Sequence, residues 1–512
     1  MSRINTNVSS LIAQNVLGRN NKSLGTALER LSTGLRINRG KDDPAGLIAS
    51  EALRSEKTGL NAAISNAERA DQVVNIAEGG LNETSGLLTE LQGLLTESAN
   101  EAGLSVEEKE ANQLQIDSIL QTIDRVSNAT DFQGSKLLNG TLDYQTSGVS
   151  AAVTDFQIRG AKLGTNNPSN TVNSVITQSA QQAGQFLSFG GALSFGGGGG
   201  ELVFEVAGTQ GNREFSFASG ESVANVASAI NSFSDVTGVS AAVSGTGVKL
   251  ASTEFGSNEF VSVDVAADPG LDAASTGIFT LSATNFDQAD TTSEVEFASS
   301  GADNGVRDEG QDIAGTINGQ VGVGQGRQLS VSGDFLDVSF TLNTSTSQTL
   351  GSIEALTITG GGADFQLSSD VNINGKVALG IGDISSRKLG QTEDPDSAGT
   401  FRFLDDLGSG KAFNVVDGEG LETAQKIVES AIAEVSKTRG RLGAFQKNVV
   451  NSTQRNLSTG LENITAAESA IRDADFASET AALSRNQVLV QASTNVLSIA
   501  NQQPQNALSL LG

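Results

Sequence analysis

The spacing of apolar side chains divides this chain into three textures. Residues 1 to about 140 place apolar residues every three or four positions with almost no Pro, the period of helices that bury one face. From about 141 to 362 the period drops to two, in a background of Gly, Ser, Thr, Val and Phe, which predicts strands joined by Gly-rich turns. From about 415 to the end the helical period returns, and residues 363–414 join the last two textures.

The strongest signal is a spacing of seven. Leu53, Leu60, Ala67, Val74, Leu81, Leu88 and Leu95 fall at strict intervals, and Ala63, Ala70, Ala77 and Leu91 supply much of a second row three residues on. Six such repeats without Pro predict a helix of roughly 65 Å that winds left-handedly on a partner. The chain contains a partner: Leu421, Ala424, Val428, Ala431, Val435, Thr438, Leu442, Phe445 and Val449 step by three and four. The expected bundle seam therefore comprises Leu53, Leu60, Val74, Leu81, Leu88 and Leu95 on one side and Val428, Val435, Leu442 and Val449 on the other. Ser105 with Glu108 reads as a capping box opening a third helix, with Ile116, Ile119, Ile123 and Val126 on its buried face. In "KDDPAG", Asp43 is a natural N-cap and Pro44 a natural first helical residue. The acidic run there lacks the spaced oxygens of a calcium loop.

Both ends are unusually apolar for chain termini. At about 100° per residue, Val488, Leu489, Val490, Ala492, Val496, Leu497, Ile499 and Ala500 cover an arc of roughly 200°. A two-helix pair needs only a narrow seam, so such an arc predicts several neighbours. At the other end Ile4, Val8 and Leu11, then Leu24, Leu28, Leu31 and Leu35, repeat at three-four spacing. Residues 1–43 carry seven Arg/Lys against three Asp/Glu, and residues 468–512 two against four, so the ends attract each other. Pairing would still leave apolar surface, which predicts self-association through Ile4, Val8, Leu11, Leu28, Leu31, Leu35, Val488, Leu489, Ala492, Val496 and Ile499. Membrane insertion is disfavoured, because the polar arc carries Ser, Thr, Asn and Gln rather than Lys and Arg.

In the middle, Leu202, Phe204 and Val206 alternate and Phe215 with Phe217 answers them. A short helix follows with Val223, Val226 and Ile230 on one side, and "GVSAAV" and "VKLAS" return to strand. A second block alternates at Val338, Phe340 and Leu342, then at Leu356 and Ile358. The Gly196–Gly200 run lacks the Lys-Ser/Thr ending of a phosphate loop and reads as a hairpin connection. The expected fold is multidomain α+β: a long antiparallel α-helical coiled coil or bundle from both termini, with β-rich inserted outer domains.

Composition removes most chemistry. The 512 residues include no Cys, no His and no Trp, with 59 Gly and 5 Pro. No thiolate site, disulfide or helical H-E-x-x-H metal site can form, and the commonest general base is missing. The chain is expected to be no enzyme and to use no cofactor or metal. A net charge of −27 argues against nucleic acid. No stretch approaches a membrane span, and the first residues lack the apolar block of a cleaved signal.

Several runs together resemble the bacterial flagellins: "MSRINTNVSSLIAQ", "ALERLSTGLRINRGKDDPAGLIAS", "IDRVSNATDFQGSKLLNG", "SAIRDADFASETAALSRNQVLVQAS" and "ANQQPQNALSLL". "ADFQLSSDVNINGKVALGIGDISSRKLG" is similar to the family's β-hairpin segment, and "GRQLSVSGDFLDVSFTLN" with residues 201–265 looks like its insertion modules. The resemblance implies a filament subunit that leaves the cell through a flagellar type III channel and polymerises into the extracellular filament. It implies a terminal coiled-coil domain from residues 1–43 and 468–512, disordered in the monomer and forming an inner tube. A helical bundle with a β-hairpin would come from 44–145 and 363–467, and a variable β-rich outer region of two modules from 146–362. Implied partners are further copies of the chain, an export chaperone at the C-terminal end, and the filament cap and hook-associated proteins. A hook–filament junction protein shares the amphipathic ends and is the alternative within the family. A secreted surface adhesin using the β modules is the alternative outside it.

Overall fold

The computed structural model describes the chain apart from residues 1–5, 101–102, 165–168, 196–199, 271–275, 283–284, 291, 300, 395–399, 417–419 and 510–512. It divides into two compact units. The first comprises Met1–Asn75, Phe365–Lys376 and Gly440–Gly512, and the second Ile76–Asp364 and Val377–Arg439. The helices are α1 (Val8–Thr33), α2 (Pro44–Ser98), α3 (Val106–Ala129), α4 (Val223–Asn231), α5 (Ser234–Thr237), α6 (Thr344–Ser347), α7 (Leu421–Ala444), α8 (Asn451–Arg472) and α9 (Phe476–Ser509). The expected Gly196–Gly200 connection falls almost wholly outside the described residues.

In the first unit, α2 begins as its sequence predicts. Pro44 takes the first helical position and the Asp43 carboxylate accepts the Gly46 N–H at 2.9 Å. Lys57 pairs with Glu468 at 3.2 Å, and the Gln446 amide donates to Asp71 at 2.8 Å, so the segment from Gln446 through α8 runs antiparallel to the start of α2. Leu60, Val74 and Leu442 are buried as expected. Leu53 is only half-buried, because α8, which lies along that end of α2, presents no fully buried residue of its own.

One seam position moves. The structure buries Val450 completely and leaves Val449 half-exposed. The cause is a π-helical turn at Phe445–Val450, in which the Asn451 N–H reaches back five residues to the Gln446 carbonyl. Such a turn holds one residue more than an α-turn. The apolar step after Phe445 is therefore five residues, and Val450 takes the place that a regular helix would give to Val449.

In the second unit, Leu81, Leu88, Leu95, Val428 and Val435 are all buried. Arg439 reaches Glu78 at 2.9 Å, which fixes α7 antiparallel to the later turns of α2. The capping box of α3 forms: Ser105 Oγ accepts the Glu108 N–H, and the Glu108 carboxylate accepts the Ser105 N–H at 2.8 Å. Behind it Ile116, Ile119 and Ile123 are buried, with Val126 half-buried. The buried Gln113 amide donates to the Leu407 carbonyl at 2.9 Å and accepts the Val415 N–H at 2.8 Å, tying the segment before α7 onto α3.

Two antiparallel β modules complete this unit. In the first, strands Tyr144–Ser147, Gly351–Gly361, Asn170–Gln178, Ala314–Ile317 and Gln320–Val321 form one sheet. Val153–Ala161, Leu336–Leu342, Gln328–Ser332 and Val323–Gln325 form the other. Val338, Phe340, Leu342, Leu356 and Ile358 are fully buried in its core. The second module is inserted in the first and again holds two sheets. One contains Gly184–Ser188, Gly247–Ser252, Val239–Ser244, Gly277–Ser282 and Asn285–Ala289. The other contains Glu201–Gly208, Asn212–Ala218, Phe260–Ala267 and Val306–Glu309. Leu202, Phe204 and Val206 alternate into its core with Phe215 and Phe217, and α4 adds Val226 and Ile230.

The incoming and outgoing chains of this second module lie side by side. Gln181 and Gln311 exchange backbone hydrogen bonds of 2.8 and 2.9 Å, and the Gly184 N–H donates to Asp308 at 2.8 Å. The Asp312 carboxylate closes the same neck by accepting the N–H groups of Ser257 and Gly326 at 3.1 and 2.7 Å and the Ser257 hydroxyl.

The paired terminal helices as a candidate assembly surface

Helices α1 and α9 pack along each other in the first unit. The Asn7 side chain donates to the Ala500 carbonyl at 2.7 Å, Asn20 to Ser493 Oγ at 2.7 Å and Arg30 to Glu479 at 2.9 Å. As the first number rises the second falls, so the pair is antiparallel. Its base is closed by backbone pairing: Arg36 N–H donates to the Arg472 carbonyl at 2.7 Å and Ala474 N–H to the Gly34 carbonyl at 2.9 Å. Gly34 ends α1 in the left-handed region at φ +74°, with its N–H on the Arg30 carbonyl. Asp475 starts α9 by accepting the Ala477 and Ser478 N–H groups at 2.9 and 3.3 Å. Close by, Asp42 accepts the N–H groups of Arg39 and Asn38, and these hold its carboxyl below the usual range, chiefly through Arg39.

The most deeply buried residues between the two helices are small, with Leu17, Leu24, Leu483, Val490 and Leu497 half-buried beside them. Among the described side chains, the buried ones are Ser10, Ala13 and Ala27 on α1 and Ser493 and Ala500 on α9. The larger apolar residues expected at the self-association surface face outward: Val8, Leu11, Leu28, Val488, Leu489, Val496 and Ile499 are 42 to 64% exposed. Ala492 is exposed as well, Leu31 and Leu35 are half-buried, and Ile4 lies outside the described residues. The outward surface also includes Ile12 and Phe476, which the sequence reading passed over. Ile12 adjoins Leu11 and widens that row, a signal available in the sequence; Phe476 is the first residue of α9, where the three-four pattern has no earlier turn to register against.

These outward rows are chemically uniform. No group of three or more metal-ligating side chains occurs among the described residues. No helix there is long and apolar enough to cross a membrane. An aliphatic surface on both helices of a pair is suited to packing against other helices, since burying each such side chain from half exposure contributes about 1 kcal/mol.

Family models match at both ends and in the middle. The bacterial flagellin N-terminal helical region matches residues 4–143, the bacterial flagellin C-terminal helical region 425–511, and the flagellin hook IN motif 201–254. The chain is 32% identical to the flagellin of Salmonella rubislaw and 31% identical to that of Salmonella typhimurium, covering 99% of both partners in each comparison. A solved structure of FliC from Burkholderia pseudomallei is 13% identical, covers 74% of this chain and 99% of that one, and superposes with a TM-score of 0.23. With full-length identity above 30% and terminal helical regions matched in order, the chain belongs to the bacterial flagellin family, the structural subunits of the flagellar filament.

Proposed function

We propose that this subunit polymerises with copies of itself through the outward rows of α1 and α9, using Val8, Leu11, Leu28, Val488, Leu489, Ala492, Val496 and Ile499, with Leu31, Leu35 and Ile4 extending them. The observation that carries this reading is the row of large aliphatic residues that the terminal pair leaves facing outward on both of its helices. Seven half-exposed side chains at about 1 kcal/mol each supply about 7 kcal/mol per subunit towards the cost of ordering and association. An isolated end buries little and orders poorly; the polymer gives it lasting cover.

In this reading residues 1–43 with 468–512 form the inner tube, 44–145 with 363–467 the helical layer around it, and 146–362 the outward modules. The subunit is secreted by flagellar type III export, with a chaperone covering the C-terminal rows beforehand. The cap and hook-associated proteins meet it at the filament's two ends. The test is electron microscopy of purified full-length protein beside a chain lacking its first 43 and last 45 residues. Filaments from the full chain alone support the reading; normal filaments from the trimmed chain refute it.

A further inference from the structure

The strand Val239–Ser244 ends its five-stranded sheet in the second β module, so a neighbouring strand lies on one of its sides alone. Open edges of this kind recruit further strands unless charge, irregularity or cover guards them. The companion sheet ends in Asn212–Ala218 and Val306–Glu309, which bring Arg213, Glu214, Arg307, Asp308 and Glu309 to its edges. Val239–Ser244 carries no charged residue, and its Ala242 and Val243 are exposed. What stands on its open side is a side chain. Asn231, the last residue of α4, donates from Nδ2 to the Ala241 carbonyl and accepts the Ala241 N–H on Oδ1, both at 2.7 Å. A carboxamide bonded to both backbone groups of one residue reproduces the bonds that a residue of an antiparallel neighbour would make. At the start of the strand the Val239 N–H is taken as well, by Thr237 Oγ1 at 3.2 Å.

The partner this edge fits is a second copy of itself. Backbone groups alternate sides along a strand, so those of Ala241 and Val243 point the same way. Two copies run antiparallel about Ala242 set Ala241 of each opposite Val243 of the other, and each facing pair exchanges its N–H and C=O bonds. Every one of those bonds uses a backbone group of Ala241. We propose that Asn231 is a lock on this edge: by filling both backbone positions of Ala241, it keeps the inserted modules of two copies of this chain from joining strand to strand. Pairing must break both Asn231 bonds in each copy. One net hydrogen bond is about five-fold in an equilibrium constant, so the lock weakens edge pairing by on the order of several hundred-fold. The need is greatest in a filament, where polymerisation through α1 and α9 crowds the inserted modules. That consequence rests on the assembly reading, whereas the lock acts in the soluble chain as well.

The test is sedimentation velocity of the soluble full-length chain over a range of concentrations below those at which filaments grow, with the unsubstituted chain as reference. Asn231→Ala should raise the dimer association constant by on the order of several hundred-fold. Hydrogen exchange of the peptide spanning Ala241 and Val243 should be faster than in the reference when N231A is dilute and slow again as it dimerises. Adding Val243→Lys to N231A places a charge on the exposed side of the edge and should return the chain to the behaviour of the reference. N231A that sediments like the reference at every concentration overturns the proposal. So does an association that V243K leaves intact, because it arises from another surface. If N231A does not fold, Asn231→Ser, whose shorter side chain cannot span both groups of Ala241, is read in the same way. Failure of the unsubstituted protein to form filaments would count against the assembly reading alone, with the soluble chain still deciding the lock.

Discussion

The π-turn at Phe445–Val450 yields a pair of deletions with opposite outcomes. Removing Asn448, which is exposed, leaves four steps between Phe445 and the present Val450. An ordinary α-turn then returns that valine to the seam, and everything downstream keeps its phase. Removing Ser436, also exposed, does the reverse: each later residue turns by about 100° and Leu442, Phe445 and Val450 leave the buried face. Three such side chains at about 2 kcal/mol each make a loss of about 6 kcal/mol. In hydrogen exchange followed by mass spectrometry, peptides from 437–447 should speed up by about four orders of magnitude in the Ser436 deletion. The Asn448 deletion should stay within about ten-fold of the parent, a change of under about 1.4 kcal/mol. If both deletions deprotect α7 alike, the π-turn is not what sets the position of Val450 and the phase argument is wrong.

Three further outcomes follow from the same structure. Val496→Asp and Ile499→Asp should each raise the subunit concentration needed to sustain seeded filaments by about ten-fold or more, because assembly would bury a carboxylate; equal pelleting of variants and parent would refute the interface. Gly324→Ala should unfold or displace the hairpin Val323–Gln325, since an added Cβ would stand 1.6 Å from the Ile313 carbonyl oxygen, and a thermal scan matching the parent would contradict this. At Asp312, burial alone would raise the carboxyl, but hydrogen bonds from Ser257 and Gly326 outweigh it and leave the group below its usual value. A lowered acid stabilises the fold above its unfolded-state value, near 3.9, and loses that contribution as pH falls through the folded-state value. Asp312→Asn should therefore weaken exchange protection around Ser257 and Gly326 at neutral pH and little at the acid end, and an identical loss at both would exclude the linkage.

The sequence was most legible where a single period met a single buried face. Leu81 and Leu88 are fully enclosed because heptad spacing and a third helix agree, and the alternation of Leu202, Phe204 and Val206 needed only a two-sheet module to make it true. Ser105 with Glu108 and Asp43 with Pro44 were readable because caps depend on residues a few positions apart. Val449 misled because a π-turn inserts a residue without any composition mark. At the termini the apolar arc was visible, but the choice of inner face was not: aliphatic residues stand on both faces, so either could meet the partner helix. The face that carries Ala, Ser and Asn among its leucines meets the partner, tied by the polar contacts of Asn20 and Ser10.

The adjoining chain crossings at Gln181 and Gln311 make the inserted module a cassette. Everything from Gly184 to Glu309 hangs from two neighbouring points, so a short bridge between them could replace it, or a foreign domain with nearby termini could be grafted there. Substitution, loss or exchange of that cassette would leave every residue that joins α1 to α9 as it is.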